Sequence, residues 1–276
     1  MMSGRVTRGD VIRHALLACA CIVALYPVVW MVTGSLGRSS AGLVSGGFLP
    51  LDHVTLSNYP RAWRSGGFAR PLLNSVIVTG CQIAINMVIS SLAGFGFAKY
   101  RFRGRHWLLL AVIALTLLPI QMIIIPLFLI VRHLGWQNSY EGLIVPTAAS
   151  ALAVLIMRQH ISSIPDELIE AGRLDGARDL RIWYQIVLPL SRPALLTVGV
   201  LTALTSWDQL IWPLVLVSTT NMTTMPLALA ALNSVYQAPL TWLMAMATVM
   251  ALPPVLAFCL SQGKLVENVG LAAAFR

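Results

Sequence analysis

Asp208 lies in the middle of a long apolar run, and no other residue so clearly calls for a chemical explanation. A charged side chain at bilayer depth costs about 2.5 to 3.5 kcal/mol on insertion scales, so something must compensate it. Either it faces a water-filled path and accepts hydrogen bonds from a hydroxylated solute, or it belongs to a buried structural pair or lies nearer the outer interface. Gln209 beside it, and Gln121, are open to the same two readings. A second polar group is periodic: Ser75, Thr79, Gln82, Asn86 and Ser90 recur at intervals of four, three, four and four, which is one face of a helix. Gln82 and Asn86 on that face could offer amides to a passing solute. With Gly94 and Ala98 the same face could instead hold helices together, which is the commoner use of small and polar residues in membranes. Motifs for catalysis are missing. There is no G-x-x-x-x-G-K-[ST] phosphate cradle, no H-E-x-x-H and no nucleophile constellation, and Gly94-Phe95-Gly96 lacks the third glycine of a dinucleotide fingerprint. Neither a metal site nor catalysis is expected.

Membrane helices must position these groups. Of the 276 residues, 57% are hydrophobic and 11% charged, against roughly 45–50% and about 25% in a soluble domain, and the mean hydropathy is +0.78. That composition excludes a soluble enzyme or a disordered tail. Six apolar runs approach the roughly 20 residues a helical crossing needs, near 15–35, 72–98, 107–131, 143–157, 194–217 and 242–261. Pro119 and Pro126 should kink the third. The first follows basic residues but has no clear cleavage site, so it is expected to be retained rather than removed. Cys19, Cys21, Cys81 and Cys259 all fall in apolar stretches and behave as small hydrophobes rather than a disulfide framework.

The net charge of +9 reflects loop placement rather than nucleic acid. Arg5, Arg8, Arg13, Lys99, Arg101, Arg103, Arg105, Arg158, Arg173, Arg178, Arg181, Arg192, Lys264 and Arg276 fall on one side of the six spans. Only Arg38, Arg61, Arg64, Arg70 and Arg132 fall on the other. The positive-inside rule then puts both termini in the cytoplasm.

One loop, about 158–192, differs from the rest because it carries five acids and five bases. Ser163 with Asp166 fits an N-cap box, Pro165 suits a first turn, and Asp166, Glu167 and Glu170 suit the positive end of a helix dipole. Leu168, Ile169, Ala171 and Leu174 would form the apolar side of this helix, and Gly176 a turn. A second amphipathic stretch over 179–188 presents Ile182, Trp183, Ile186 and Val187, and Pro189 should end it.

Glu170-Ala171-Gly172, Asp175-Gly176-Ala177 and Ile186-Val187-Leu188-Pro189 resemble the EAA loop of binding-protein-dependent ABC transporter permeases. The likeness covers nearly the whole chain. Asn74-Ser75, Leu118-Pro119, Pro126-Leu127, Asn138-Ser139-Tyr140 with Gly142, and Trp207-Asp208 with Trp212-Pro213-Leu214 are similar to the carbohydrate-uptake class, including sugar, glycerol-3-phosphate and maltose-type second permeases. Two departures from that class are Gly172, where the family usually has alanine, and Asp208, where it commonly has Asn. The Gly-rich ending is only partly matched by 270–276.

The resemblance implies an all-α membrane protein forming one transmembrane domain over 1–276. Its permease core would cover about 71–262, with a coupling-helix loop between helices four and five. Glu170, Ala171, Gly172, Asp175, Gly176, Ala177, Ile186 and Pro189 would couple to an ATPase. Asp208, Gln209, Gln82, Asn86 and Gln121 remain candidates for the path. The partners implied are a second, non-identical permease, two ATPase subunits carrying ATP and Mg, an extracytoplasmic solute-binding protein and membrane lipid, with no nucleic acid and no cofactor on this chain. The setting would be the cytoplasmic (inner) membrane. The first rival reading is an ion-coupled secondary transporter using Asp208. The others are an intramembrane enzyme, for which no nucleophile, metal ligands or acid–base pair is found, and a ligand-gated channel, in which the loop would have no evident role.

Overall fold

The structure, a computed structural model, describes the backbone of residues 8–40, 54–234 and 238–274. Helices make up almost all of it, and the chain divides into two compact units. The first unit, residues 1–68 and 229–252, contains α1 (Arg8–Ser35) and α2 (Asn58–Ser65), with parts of α12 (Met225–Ser234) and α13 (Leu240–Ala274). Asn58 ties α2 to the end of α1 by donating to the carbonyls of Ser35 and Gly37, both at 2.8 Å.

The second unit, residues 69–228 and 253–276, holds the candidate site. Its central element is α3 (Ala69–Lys99). There follow α4 (Arg105–Thr116), α5 (Ile120–His133), α6 (Tyr140–Thr147), α7 (Ala151–Ser162), α8 (Asp166–Leu174), α9 (Asp179–Leu190), α10 (Arg192–Trp207) and α11 (Ile211–Leu216). α7 and α10 pack along α3. Gly94 allows the first contact, since a Cβ there would lie 2.8 Å from the Met157 Cβ and 2.9 Å from the Arg158 nitrogen. A core of Phe95, Met157, Ile161, Ile169, Ile182, Val187 and Val198 joins α3, α7, α8, α9 and α10.

Among the described residues, three helices are long and apolar enough to cross a membrane alone, and the number is up to six if each of three bent pairs, one of them α9 with α10, is a single span. The third span is therefore not the single kinked helix expected from sequence. It breaks into α4 and α5, inclined at 103°. Proline explains the break: Pro119 has no N–H, disfavours helical geometry at Leu118, and is itself extended at φ −69°, ψ 139°. Pro126 stays inside α5. The fourth span likewise bends by 49° between α6 and α7. The sixth helix runs beyond its expected end to Ala274. Arg5 and Arg276 lie outside the described residues, as do the side chains of the 270–276 tail.

Candidate functional site: a rooted helical loop and two broken spans

The 158–192 loop folds as two helices, with local chemistry that differs in part from expectation. Ser163 does not cap α8. It caps the end of α7, its hydroxyl donating 2.7 Å to the His160 carbonyl, and extended Pro165 occupies the N-cap position of α8 without a side-chain bond. Proline fits there because it has no N–H to leave unpaired. Asp166 begins α8, and a hydrogen bond and charge from Lys99 hold its carboxyl below the ordinary aspartate range. α8 ends in a Schellman motif: Gly176 donates to the Arg173 carbonyl and Ala177 to the Gly172 carbonyl, both at 3.0 Å. Gly176 adopts φ +78°, and a Cβ added to it would meet nothing within 4 Å.

α9 contains a π-helical segment at Trp183–Val187, where the Leu188 N–H reaches back to the Trp183 carbonyl. Pro189 follows within the helix instead of ending it. The wider turn lies just before the residue that cannot donate. At Ser191 the chain bends by 81° into α10.

The apolar residues of the loop divide into two sets. Ile169, Ile182 and Val187 are buried in the core shared with α3, α7 and α10, and Trp183 and Ile186 pack against it. Gly172 is buried too, and an added Cβ would lie 3.0 Å from the Ile186 Cδ1. The absence of a Cβ at Gly172 thus leaves room for Ile186 of α9 against α8. The expected apolar side of α8 is narrower than the sequence indicated, because Leu168, Ala171 and Leu174 face away from that core. Leu174 is 89% exposed, and on α9 Leu180 and Tyr184 are 69% and 67% exposed. Glu170, Ala171, Asp175, Gly176 and Pro189 are also exposed, while Ala177 is half-buried.

The polar residues of the spans separate just as clearly. Gln82 and Asn86 are buried on α3 at 2% exposure each. Gln82 donates to Thr147 Oγ1 at 2.8 Å and to the Leu143 carbonyl, and Asn86 donates to Thr202 Oγ1 at 2.7 Å while accepting from the Ser150 N–H. Ser75 accepts from the Met225 N–H, and Thr79 accepts from Ser206. Gln121, Gln209 and Asp208 are different, since they sit at helix breaks. Gln121 follows Pro119 in the first turn of α5, exposed. Asp208 is exposed where α10 stops, and half-buried Gln209 lies in the non-helical link to α11. Asp208 was expected inside a continuous span, which the break at 208–210 corrects.

At the end of α3 away from the loop, motif residues that sequence reading had noted without a role form one network. Asn74 donates to the carbonyls of Asn221 and Thr223 and accepts from Tyr140. Asn138, at φ +52°, accepts from the N–H groups of Ser218 and Thr219. Trp212, fully buried, donates 3.0 Å to the Gly142 carbonyl, and any Cβ at Gly142 would run into the Trp136 carbonyl. Sequence reading missed Lys99 and Tyr100 at the other end of α3. The available signal was a lysine among arginines, immediately after an apolar span.

The described residues thus combine spans interrupted at polar residues with a folded loop rooted between them. Comparison with known proteins assigns the class. Residues 86–269, more than half of the chain, match the family described as "Binding-protein-dependent transport system inner membrane component", and the chain belongs to it. It is 31% identical over 218 residues to the arabinooligosaccharides transport system permease protein of Bacillus subtilis (strain 168), covering 78% of each chain. It is 30% identical over 269 residues to the sn-glycerol-3-phosphate transport system permease protein of Yersinia pestis, covering 94% of this chain and 95% of that one. A solved bacterial ABC transporter involved in the import of the acidic polysaccharide alginate contains a chain of the same fold. That chain aligns with a TM-score of 0.80 at 24% identity, over 95% of this chain and 98% of its own length.

The protein is accordingly an inner-membrane permease of a binding-protein-dependent ABC importer. It is not catalytic, since the ATPase of such a system is a separate subunit. Membership implies an ATPase, another permease and a binding protein as partners. The ion-coupled alternative built on Asp208 is set aside by the same finding.

Proposed function

We propose that this chain forms half of the translocation path for a carbohydrate or glycerol-phosphate type solute, with a second, non-identical permease forming the other half. One of two ATPase subunits would dock on the α8–α9 loop, and a solute-binding protein would deliver solute on the opposite face. One observation carries the docking reading. Leu174, Leu180 and Tyr184 project from a loop whose Ile169, Ile182 and Val187 are held in the core. Apolar side chains presented from a rigid base suit a partner's cleft. The basic residues around the loop support a cytoplasmic position for it, with both termini on the same side. The names of the relatives, an arabinooligosaccharide permease and a glycerol-3-phosphate permease, support the solute class.

The break at 208–210 supports a path along α10 and α11. Non-helical backbone at membrane depth is tolerated only where protein or water meets it, and exposed Asp208 is positioned to serve water. Asp208 and Gln121 would face the path, with Gln209 beside them, whereas Gln82 and Asn86 would brace α3 against α6, α7 and α10. Asp208→Asn should then retain at least half of wild-type uptake, because an amide still offers a carbonyl acceptor. Complete loss of uptake in that variant, at normal membrane abundance, would instead show that the charge is required.

The assembly is tested by purifying the tagged chain from its own membranes in gentle detergent, with native mass and identification of each co-purifying protein. One different permease and two ATPase copies per chain are expected. Stimulation of ATP hydrolysis by binding proteins loaded with sugars or glycerol-3-phosphate then identifies the solute. A chain recovered alone or as a homo-oligomer would overturn the proposed assembly.

A further inference from the structure

The end of α3 and the residue after it grip the loop at two points, although α3 is not adjacent to the loop in sequence. Lys99 is the first. Its side chain is 5% exposed, and its ammonium donates to the Ile164 carbonyl and, at 2.6 Å, to Asp166 Oδ1. Ile164 lies in the link from α7 and Asp166 opens α8, so one buried cation fixes the entry to the loop. Lysine carries three donors and no acceptor, which suits holding two oxygens at once.

Tyr100 is the second point. Its ring meets Phe95 edge-on at 5.3 Å, and the Arg173 guanidinium lies over it at 5.3 Å. Arg173, near the end of α8, also reaches Asp179, the first residue of α9, at 3.5 Å. Burial pushes the Tyr100 phenol above the ordinary tyrosine value, consistent with a ring set into the core edge. Where Gly172 meets Ile182 and Ile186, α8 and α9 are closed on each other. The loop is thereby one body held by α3 at its entry and at its midpoint.

We propose that Lys99 and Tyr100 are positioning residues that lock the α8–α9 loop to α3, so that ATPase movement reaches the membrane through α3 as well as through the attached α7 and α10. This deepens the docking reading above and rests on it. α3 is a suitable receiver because Gln82 and Asn86 bond it to α6, α7 and α10. A displacement of α3 is passed on through those bonds.

The test uses the whole importer, with its ATPases, in lipid nanodiscs. The four native cysteines are replaced, and spin labels are placed at the exposed positions Glu167→Cys on α8 and Leu73→Cys at the far end of α3. Pulsed electron resonance gives the distance between them without nucleotide and with ATP plus vanadate. The wild-type background should show one narrow distance that vanadate trapping leaves unchanged. Lys99→Met should broaden it about twofold and make it shift on trapping, while keeping its ATPases by native mass. Lys99→Arg and Tyr100→Phe should behave as wild type, and Tyr100→Ala as Lys99→Met. Should Lys99→Met fail to fold, Asp166→Asn weakens the same link at an exposed position and is read in the same way.

Lys99→Met or Asp166→Asn together with Tyr100→Ala giving the wild-type distance in both states would overturn the lock. Loss of the ATPases from Lys99→Met alone would also overturn it, by making the residue part of docking. Absence of the ATPases from the wild-type complex would defeat the docking reading itself, a distinguishable failure.

Discussion

Gly176→Asp should reduce solute uptake at least a hundredfold while the chain still reaches the membrane in normal amount. Two physical effects contribute, and their sizes separate them. At φ +78° a side chain costs about 1–2 kcal/mol of backbone strain, which a helical membrane protein absorbs. Within the chain nothing further opposes the substitution, because a Cβ at Gly176 meets no atom within 4 Å. Any larger effect must come from a partner seated there. A carboxylate buried unpaired in an interface costs about 2–5 kcal/mol, and about 2.7 kcal/mol is already a hundredfold in affinity. Gly176→Ala supplies the control, since it carries the strain without the charge and should retain most uptake. Accumulation of labelled solute in cells, with membrane abundance by immunoblot and ATPase recovery by affinity purification, measures all three quantities. Normal uptake by Gly176→Asp would remove the loop from the docking role. Equal loss in Gly176→Ala would assign the effect to strain.

The loop was legible in sequence because its features are local. Acids at the start of α8, glycine at its end and apolar positions at helical spacing on α9 each depend on neighbours within a few residues. What escaped was the direction of individual side chains. Leu174 and Ile169 read alike in a hydrophobic pattern, yet one is 89% exposed and the other 3%. The difference is set by where α9 folds back, at the Gly176 turn and against Gly172. Span count was likewise readable from apolar length, whereas the 103° break at Pro119 was not. A proline permits either a kink or a full break, and the neighbouring helices decide which. Asp208 shows the same limit. Its type announced a polar role, but only the structure places it at the end of α10 rather than within it. Lys99 and Tyr100 needed the fold most, because they meet the loop some 65 residues further along the chain in the case of Lys99 and Ile164.

Two glycines on α3, two residues apart, should respond in opposite ways to the same substitution. Gly94→Ala places a methyl 2.8 Å from the Met157 Cβ and 2.9 Å from the Arg158 nitrogen, both closer than van der Waals contact. The second neighbour is backbone, so relief requires α7 to move away from α3. Overpacking of that kind typically costs about 1–3 kcal/mol, and Gly94→Leu should cost more. Gly96→Ala meets nothing within 4 Å, and alanine is favoured over glycine in a helix interior by about 1 kcal/mol. It should therefore be neutral or slightly stabilising. Thermal unfolding of the purified complex in detergent reads the contrast as a fall in Tm for Gly94→Ala and none for Gly96→Ala. The consequence extends to coupling, because Phe95 and Met157 at this contact belong to the core in which Ile169 and Ile182 root the loop. Gly94→Leu should lose uptake along with stability, while Gly96→Ala keeps both. A Gly94→Leu chain as stable as wild type would mean that α3 and α7 do not approach as closely as their backbones indicate, and that the loop is rooted elsewhere.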